Sequence, residues 1–295
     1  MSMVIRRAVI INALARSMLR SRNAGQFKDN GAATHGDSCA LHRLMISIHP
    51  LTGMAEICAD DDLAMLLRDA LGRTGLWPLQ QGDVLVVTQK ILSKAEGRMV
   101  DLTEVKPGEQ ALELAEKTKK DPRLVELVLR ESSAIVRAVP HILITRHKLG
   151  HVMANSGIDR SNIGPGAPER ALLLPVDPDG SAAALSHELA CGGAAPAVVI
   201  SDSFGRPWRH GVVGVAIGAA GLPALVDRRG EEDRDGRSLE VTQIALADQI
   251  ATAAALVTGE GAESIPAVLI RGLRLPPGDA PAAALVRPIE EDLFR

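Results

Sequence analysis

Gly82-Asp83-Val84-Leu85-Val86-Val87-Thr88-Gln89-Lys90 is the stretch on which the fold reading turns. Gly82-Asp83 signals a turn, and the four consecutive apolar residues after it suit a strand buried on both faces. Polar residues follow at once: Thr88, Gln89, Lys90, Ser93, Lys94 and Glu96. The same order recurs downstream, where Ala197 to Ser201 reads as a buried strand and runs into Asp202-Ser203-Phe204-Gly205-Arg206-Pro207-Trp208-Arg209. Ala267-Val268-Leu269-Ile270 is a further strand of this type. Loops at the ends of such strands are where rigid scaffolds display functional groups.

Around these strands the periodicity changes. Ile46 to His49 alternates like a short strand ending at Pro50. Asp60-Asp61-Asp62 opens a helix whose apolar face is Leu63, Leu66, Leu67, Ala70 and Leu71, with Gly72 at its end. Residues 107 to 138 predict two helices separated at Asp121-Pro122, and Ile142–Thr145 with Val152–Ala154 predicts a hairpin around residues 146 to 150. Ser181 is expected to cap a helix running to Cys191, and residues 238 to 257 to form another that stops at Gly259. In the small-residue run from Val212 to Gly221, Gly214 and Gly218 permit close backbone approach. Strands and helices alternate without a strict βαβ period, so the expected class is mixed α/β, or α+β.

Composition excludes several functions. The 295 residues are 46% hydrophobic and 23% charged, as in an ordinary globular protein. With two Trp, three Phe and no Tyr, the chain lacks the stacking platforms of a single-stranded nucleic-acid reader. Residues 1 to 44 carry +5 and the remainder −8, which leaves no broad surface for a phosphate backbone and confines any anionic ligand to a local basic pocket. Cys39, Cys58 and Cys191 are dispersed, as expected of reduced cytoplasmic thiols, with two of them buried. No apolar run approaches the roughly 20 residues that span a bilayer. Residues 1 to 44, Arg-rich and acid-poor, are expected to be dispensable, as a transit peptide or the product of an upstream start codon, with residues 45 to 295 forming the functional domain.

Three polar clusters follow the strands. Lys90 and Lys94 suit phosphate binding or, alternatively, a solvated surface turn. Gly157-Ile158-Asp159-Arg160-Ser161-Asn162 offers oxygen ligands for a hard cation, or an Asx turn built from the same residues. Asp202-Ser203 with Arg206 and Arg209 pairs a Mg²⁺-type carboxylate and hydroxyl with two phosphate-holding arginines, or reads as a helix N-cap beside surface arginines. No G-x-x-x-x-G-K-[ST] is present, and Gly214, Gly218 and Gly221 do not make G-x-G-x-x-G. The P-loop and Rossmann folds are therefore not expected, and the eight histidines form no zinc motif.

In order and spacing the clusters resemble the F420-0:γ-glutamyl ligase family, from about Ile46 to Asp292. The resemblance is carried by residues 82 to 87, Ser93-Lys94-Ala95-Glu96-Gly97-Arg98, Gly157-Ile158-Asp159, Ser161-Asn162, Asp202-Ser203, Gly205-Arg206 and Ala216-Ile217-Gly218. Leu239-Glu240-Val241-Thr242, Ala247-Asp248, Gly259-Glu260-Gly261 and Ile265-Pro266-Ala267-Val268 add to it. It implies a family-specific fold of two interleaved subdomains, a homodimer, and GTP-dependent joining of L-glutamate to coenzyme F420-0 through an acyl phosphate. Two Mn²⁺ or Mg²⁺ ions and K⁺ are implied with it. Asp159, Asp202, Ser203 and Glu260 resemble the metal ligands, and Lys94, Asp202 and Arg206 the catalytic residues. Met54, Ala55, Glu56, Ile57, Gln89, Lys94 and Asn162 resemble GTP contacts, as do Thr258, Gly259, Glu260, Gly261, Ala262, Glu263, Ser264 and Ile265. Gln89 stands where relatives often carry Ser or Thr, and Ser203 where many carry Thr. Alternatives are a related amide ligase acting on another carboxylate cofactor and a catalytically silent nucleotide-binding protein.

Overall fold

A computed structural model describes residues 45–164 and 169–292; the N-terminal extension and Cys39 lie outside the described residues. In chain order the first elements are β1 (Ser47–Pro50), α1 (Leu63–Arg73), β2 (Val84–Thr88), α2 (Gln89–Ala95) and β3 (Met99–Asp101). Next come α3 (Glu109–Thr118), α4 (Pro122–Glu131), β4 (Ser132–Val139), β5 (Ile142–His147), β6 (Val152–Ala154) and β7 (Arg170–Leu172). The last are α5 (Pro178–Glu188), β8 (Ala197–Arg206), β9 (Arg209–Ala220), β10 (Leu225–Asp227), β11 (Gln243–Ala245), α6 (Leu246–Thr258) and β12 (Ala267–Arg271).

The expected mixed α/β class is observed. The central sheet has the order β1-β12-β2-β8-β9, and its parallel neighbours are β2 and β8, in register from Val84↔Ala197 to Thr88↔Ser201. The apolar run of β2 is wholly buried because helices cover both faces of the sheet. Leu85 and Val87 pack into a core with Leu67 and Leu71 of α1 and Leu185 of α5, while Val84 and Val86 meet Ile250, Ala251 and Ala254 of α6. A third core gathers Leu102, Val125, Val128, Leu143 and Ala171 around α3, α4 and β5.

Local chemistry explains the helix ends. Asp62 caps α1 by accepting from the Met65 N–H at 2.8 Å, and Asp121 caps α4 with Pro122 in the first turn. The β5–β6 hairpin forms as the alternation predicts. Residues 132 to 138, expected to be helical, are instead part of β4, because Ser132 to Val139 pairs with β5 and long-range pairing overrides local helix propensity. The expected cap at Ser181 is replaced by Asp177, which accepts from the Gly180 N–H at 3.0 Å, and α5 ends at Glu188 instead of Cys191. α6 begins at Leu246, eight residues later than expected, because Gln243–Ala245 is drawn into pairing with β10. Cys58 is exposed and Cys191 half-buried, against the expected burial: both lie outside the helices and sheet that form the cores.

Close approach at the glycines of β9 is realised. A Cβ on Gly214 would overlap the Ala251 carbonyl of α6, and one on Gly218 the Pro178 carbonyl of α5, so both helices lie directly on this strand. Among the described residues no helix is long and apolar enough to cross a membrane. Gly218→Ala must push α5 off the sheet, and should cost about 1 to 3 kcal/mol in urea denaturation; a variant as stable as wild type would show that the contact yields freely.

Candidate active site

Because β2 and β8 run side by side in one direction, the end of their paired stretch at Thr88↔Ser201 brings Gln89-Lys90 and Asp202-Ser203 to the same edge of that pair. A crevice beyond the carboxyl ends of parallel strands is the usual ligand position in open α/β sheets. Here it is a cavity of about 540 Å³. Its walls include Met54 to Ile57, Gln89, Lys94, Asn162, Asp202, Ser203, Thr258 to Ala262, Ser264 and Ile265, so most of the residues singled out in the sequence are brought together. Glu263 is set back from the wall, accepting from the Gly261 N–H at 2.8 Å and so shaping the 259–264 turn. Arg206 lies outside the cavity, at the far end of β8. Ser201 and Gly214, read in the sequence as a strand end and a close-approach glycine and not as site residues, also line it.

Gln89, Asp159, Lys94 and Asn162 are each held by an identifiable partner. Gln89, the first residue of α2, is buried; its Nε2 donates to Asp159 Oδ2 at 2.7 Å and its Oε1 accepts from Ser93 Oγ at 2.9 Å. Asp159 is further fixed by its backbone, which exchanges two 2.9 Å hydrogen bonds with Leu172 of β7. Its carboxylate faces Gln89 and Lys90, the latter at 3.5 Å, and so is not spent on an Asx turn. Lys94, one turn beyond Lys90, is only 8% exposed, which removes the surface-turn alternative for this residue. Its Nζ donates to Glu56 Oε1 at 2.5 Å and to the Asn162 carbonyl at 3.3 Å. Asn162 in turn donates from Nδ2 to the Gly261 carbonyl at 3.0 Å. Three loops, 54–57, 159–164 and 259–264, are thereby tied around one buried ammonium.

Asp202 belongs to β8, not to a helix cap, and Oδ1 accepts from the Ser203 N–H at 2.8 Å. Burial, then the neighbouring Asp159 charge, push its carboxyl up to about 7; Glu260 acts in the same direction, opposed by the Ser203 N–H and Lys90. Asp159 is raised as well, by burial first, with Glu260 again adding and Lys90 and Gln89 opposing. Asp202 and Glu260 thus line the cavity, while Asp159, expected beside them, is not part of its wall but lies near enough for its charge to act on Asp202. Among the described residues no three of them stand close enough to form a closed cage for a single ion. Such a donor set suits a cation that keeps part of its shell for water and ligand oxygens, the habit of Mg²⁺ and Mn²⁺ rather than of a protein-caged ion.

Residues 53–272 match the family described as F420-0:Gamma-glutamyl ligase, about three quarters of the chain. The chain belongs to this family. It is 47% identical over 256 residues to the coenzyme F420:L-glutamate ligase of Methanothermobacter thermautotrophicus, covering 85% of this chain and 99% of that one. Proteins of the same name from Methanopyrus kandleri and Archaeoglobus fulgidus are 44% and 41% identical, covering 85% of this chain and 98% and 97% of theirs. Every cavity residue, from Met54 to Pro266, falls inside the stretch matched to the ligase family.

The acid crowding has a measurable sign. Folding lifts Asp202 from the ordinary 3.8 to about 7, so stability linked to this group is complete below about pH 4 and is lost as pH rises to about 7. In metal-free buffer Asp202→Asn should match wild type near pH 4 and exceed it by about 1 kcal/mol or more near pH 8. Urea denaturation at the two pH values checks this; a variant less stable than wild type at the higher pH would contradict the crowding.

Proposed function

We propose that this chain joins L-glutamate to coenzyme F420-0, and then adds further glutamates through γ-carboxyl groups, at the expense of GTP. The observation that carries the reading is the convergence of Asp202 and Glu260 with Lys90 and Lys94 in one cavity wall, with Asp159 held 3.5 Å from Lys90, where the parallel stretch of β2 and β8 ends. This is an arrangement suited to a metal-bound polyphosphate, in a chain of the γ-glutamyl ligase family. A homodimer working in the cytoplasm, with a K⁺ requirement, completes the reading.

A carboxylate is a poor acyl donor at neutral pH and must first be activated. Its oxygen attacks the γ-phosphorus of GTP, the bond to the β-phosphate breaks, and an acyl phosphate and GDP result. The amine of glutamate then attacks the acyl carbon, loses a proton and expels phosphate, leaving an amide. Asp159, Asp202, Ser203 and Glu260 would hold two Mn²⁺ or Mg²⁺ ions, which supply charge neutralisation between the β- and γ-phosphates. Gln89 orients Asp159 through their 2.7 Å hydrogen bond, so the ligand carboxylate is preset. Lys94 is held in place before any nucleotide arrives by Glu56 and Asn162, and a phosphate oxygen would take over the position of the Glu56 carboxylate. The main chain of residues 258 to 262 offers a wall of backbone dipoles along the rest of the nucleotide. Arg206 is not part of this cavity wall, and the phosphoryl step is proposed without it.

Incubation of purified protein with F420-0, GTP, Mn²⁺ and glutamate, followed by mass analysis, tests the reaction. The product should gain one glutamate residue per GDP formed, and unmodified F420-0 would refute the proposal. Lys94→Ala should remove roughly 2 to 4 kcal/mol of transition-state stabilisation, the size of one electrostatic donor elsewhere, lowering kcat/KM for GTP by about 30-fold to 1,000-fold. Varying GTP and glutamate separately decides the point: a defect confined to glutamate would take Lys94 away from the phosphates.

A further inference from the structure

The tip of the β8–β9 hairpin breaks three local rules in four residues. Arg206 pairs directly across the hairpin with Arg209, and like charges in that position repel. The two-residue connection is Pro207-Trp208, and Trp208 takes φ 58°, a left-handed position that suits glycine and disfavours a bulky side chain. Its indole is 82% exposed, in a chain with two Trp, three Phe and no Tyr. Arg206 Nε is buried without a hydrogen-bond partner, while Nη2 reaches only the His210 carbonyl at 3.3 Å. Among the described residues neither Arg206 nor Arg209 is in an ion pair with a carboxylate. Unfavourable features retained together mark a place where a ligand supplies the missing interactions.

The tip is linked to the cavity by one strand. Beyond Ser201 the exposure of β8 alternates, Asp202, Phe204 and Arg206 being half-buried and Ser203 and Gly205 more exposed, with the pairing to β9 shifting register between Gly205 and Arg206. Phe204 is fixed by the edge of the His151 ring, centroids 5.7 Å apart. At about 3.3 Å per residue, Arg206 stands roughly 13 Å along the strand from Asp202. A ligand whose reacting carboxylate sits by Asp202 and whose body lies along this strand would bring its far end to the guanidinium groups and the indole.

Resting on the ligase reading above, we propose that Arg206, Trp208 and Arg209 form the subsite for the remote end of the acceptor, a flat aromatic group borne on an anionic chain. A deazaflavin with an acidic tail has this chemistry. The indole stacks on the ring, and the paired guanidinium groups take the negative charge that makes their juxtaposition favourable. A nucleic acid or an acidic membrane would require a broad basic field, whereas the chain beyond residue 44 carries −8. Two arginines and one tryptophan within a four-residue hairpin tip match a single small ligand.

Steady-state ligation by the full chain, with F420-0 and GTP varied separately, tests the subsite in Trp208→Gly and Arg209→Gln. Each should raise KM for F420-0 about tenfold or more, the scale of one lost stacking or charge contact, and leave KM for GTP within about twofold. Trp208→Gly should melt no lower than wild type, since glycine fits the left-handed position, so loss of acceptor affinity cannot be ascribed to unfolding. Titrating F420-0 without GTP should quench the indole emission of wild type and leave the Trp77 signal of Trp208→Gly largely unaffected. Variants with wild-type KM for F420-0, or with equal losses for F420-0 and GTP, would overturn the subsite while the ligase reading stands. A wild-type protein that does not convert F420-0 would overturn both.

Discussion

The parallel pairing of β2 with β8 is the constraint on which the rest of the molecule depends. All other neighbours in the central sheet are antiparallel, and an antiparallel pair sends its two chain directions to opposite edges. Only a parallel pair sends the residues that follow its paired stretch on both strands to one place. Burial on both faces fixes that pair: any slip of β2 would move Leu85 and Val87 out of one core and Val84 and Val86 out of the other. Glycines in β9 let α5 and α6 lie directly against the sheet, and α6 then ends at the cavity, where Thr258 and Gly259 begin the facing loop.

Electrostatics sets the second level of organisation. The cavity gathers acids and lysines in one wall, and each lysine already faces a carboxylate. Lys90 stands 3.5 Å from Asp159 and Lys94 is occupied by Glu56, so that among the described residues Asp202 has no cation in contact. A protein that gained only stability from this region would replace such a group with an apolar one, because a desolvated, like-charged carboxylate opposes folding. Under the proposed function a multivalent cation and its phosphate partner would complete the arrangement.

Much of this architecture was legible in the chain. The apolar runs of β2, β8 and β12, the Asp62 cap of α1, the break at Asp121-Pro122 and the β5–β6 hairpin are short-range features, each set by residues within a few positions of one another. The three polar clusters could be found because they follow those strands. The reading failed at β4, at the starts of α5 and α6, and at the two described cysteines, all places where a partner distant in sequence decides the conformation.

By itself the sequence determined the class of fold, the strand ends that bear chemistry, and the family, since these follow from local turn, cap and burial patterns and from ordered motifs. Tertiary structure alone decided which of those groups meet. Glu56 and Lys94 are 38 residues apart, Gln89 and Asp159 are 70, and Asn162 and Gly261 are 99. No local period relates such positions. Whether Lys94 was a solvated side chain or a buried charge, and whether Asp159 served its own turn or a shared cavity, depended on where the sheet placed its neighbours, because burial and like-charge proximity are properties of the packed molecule.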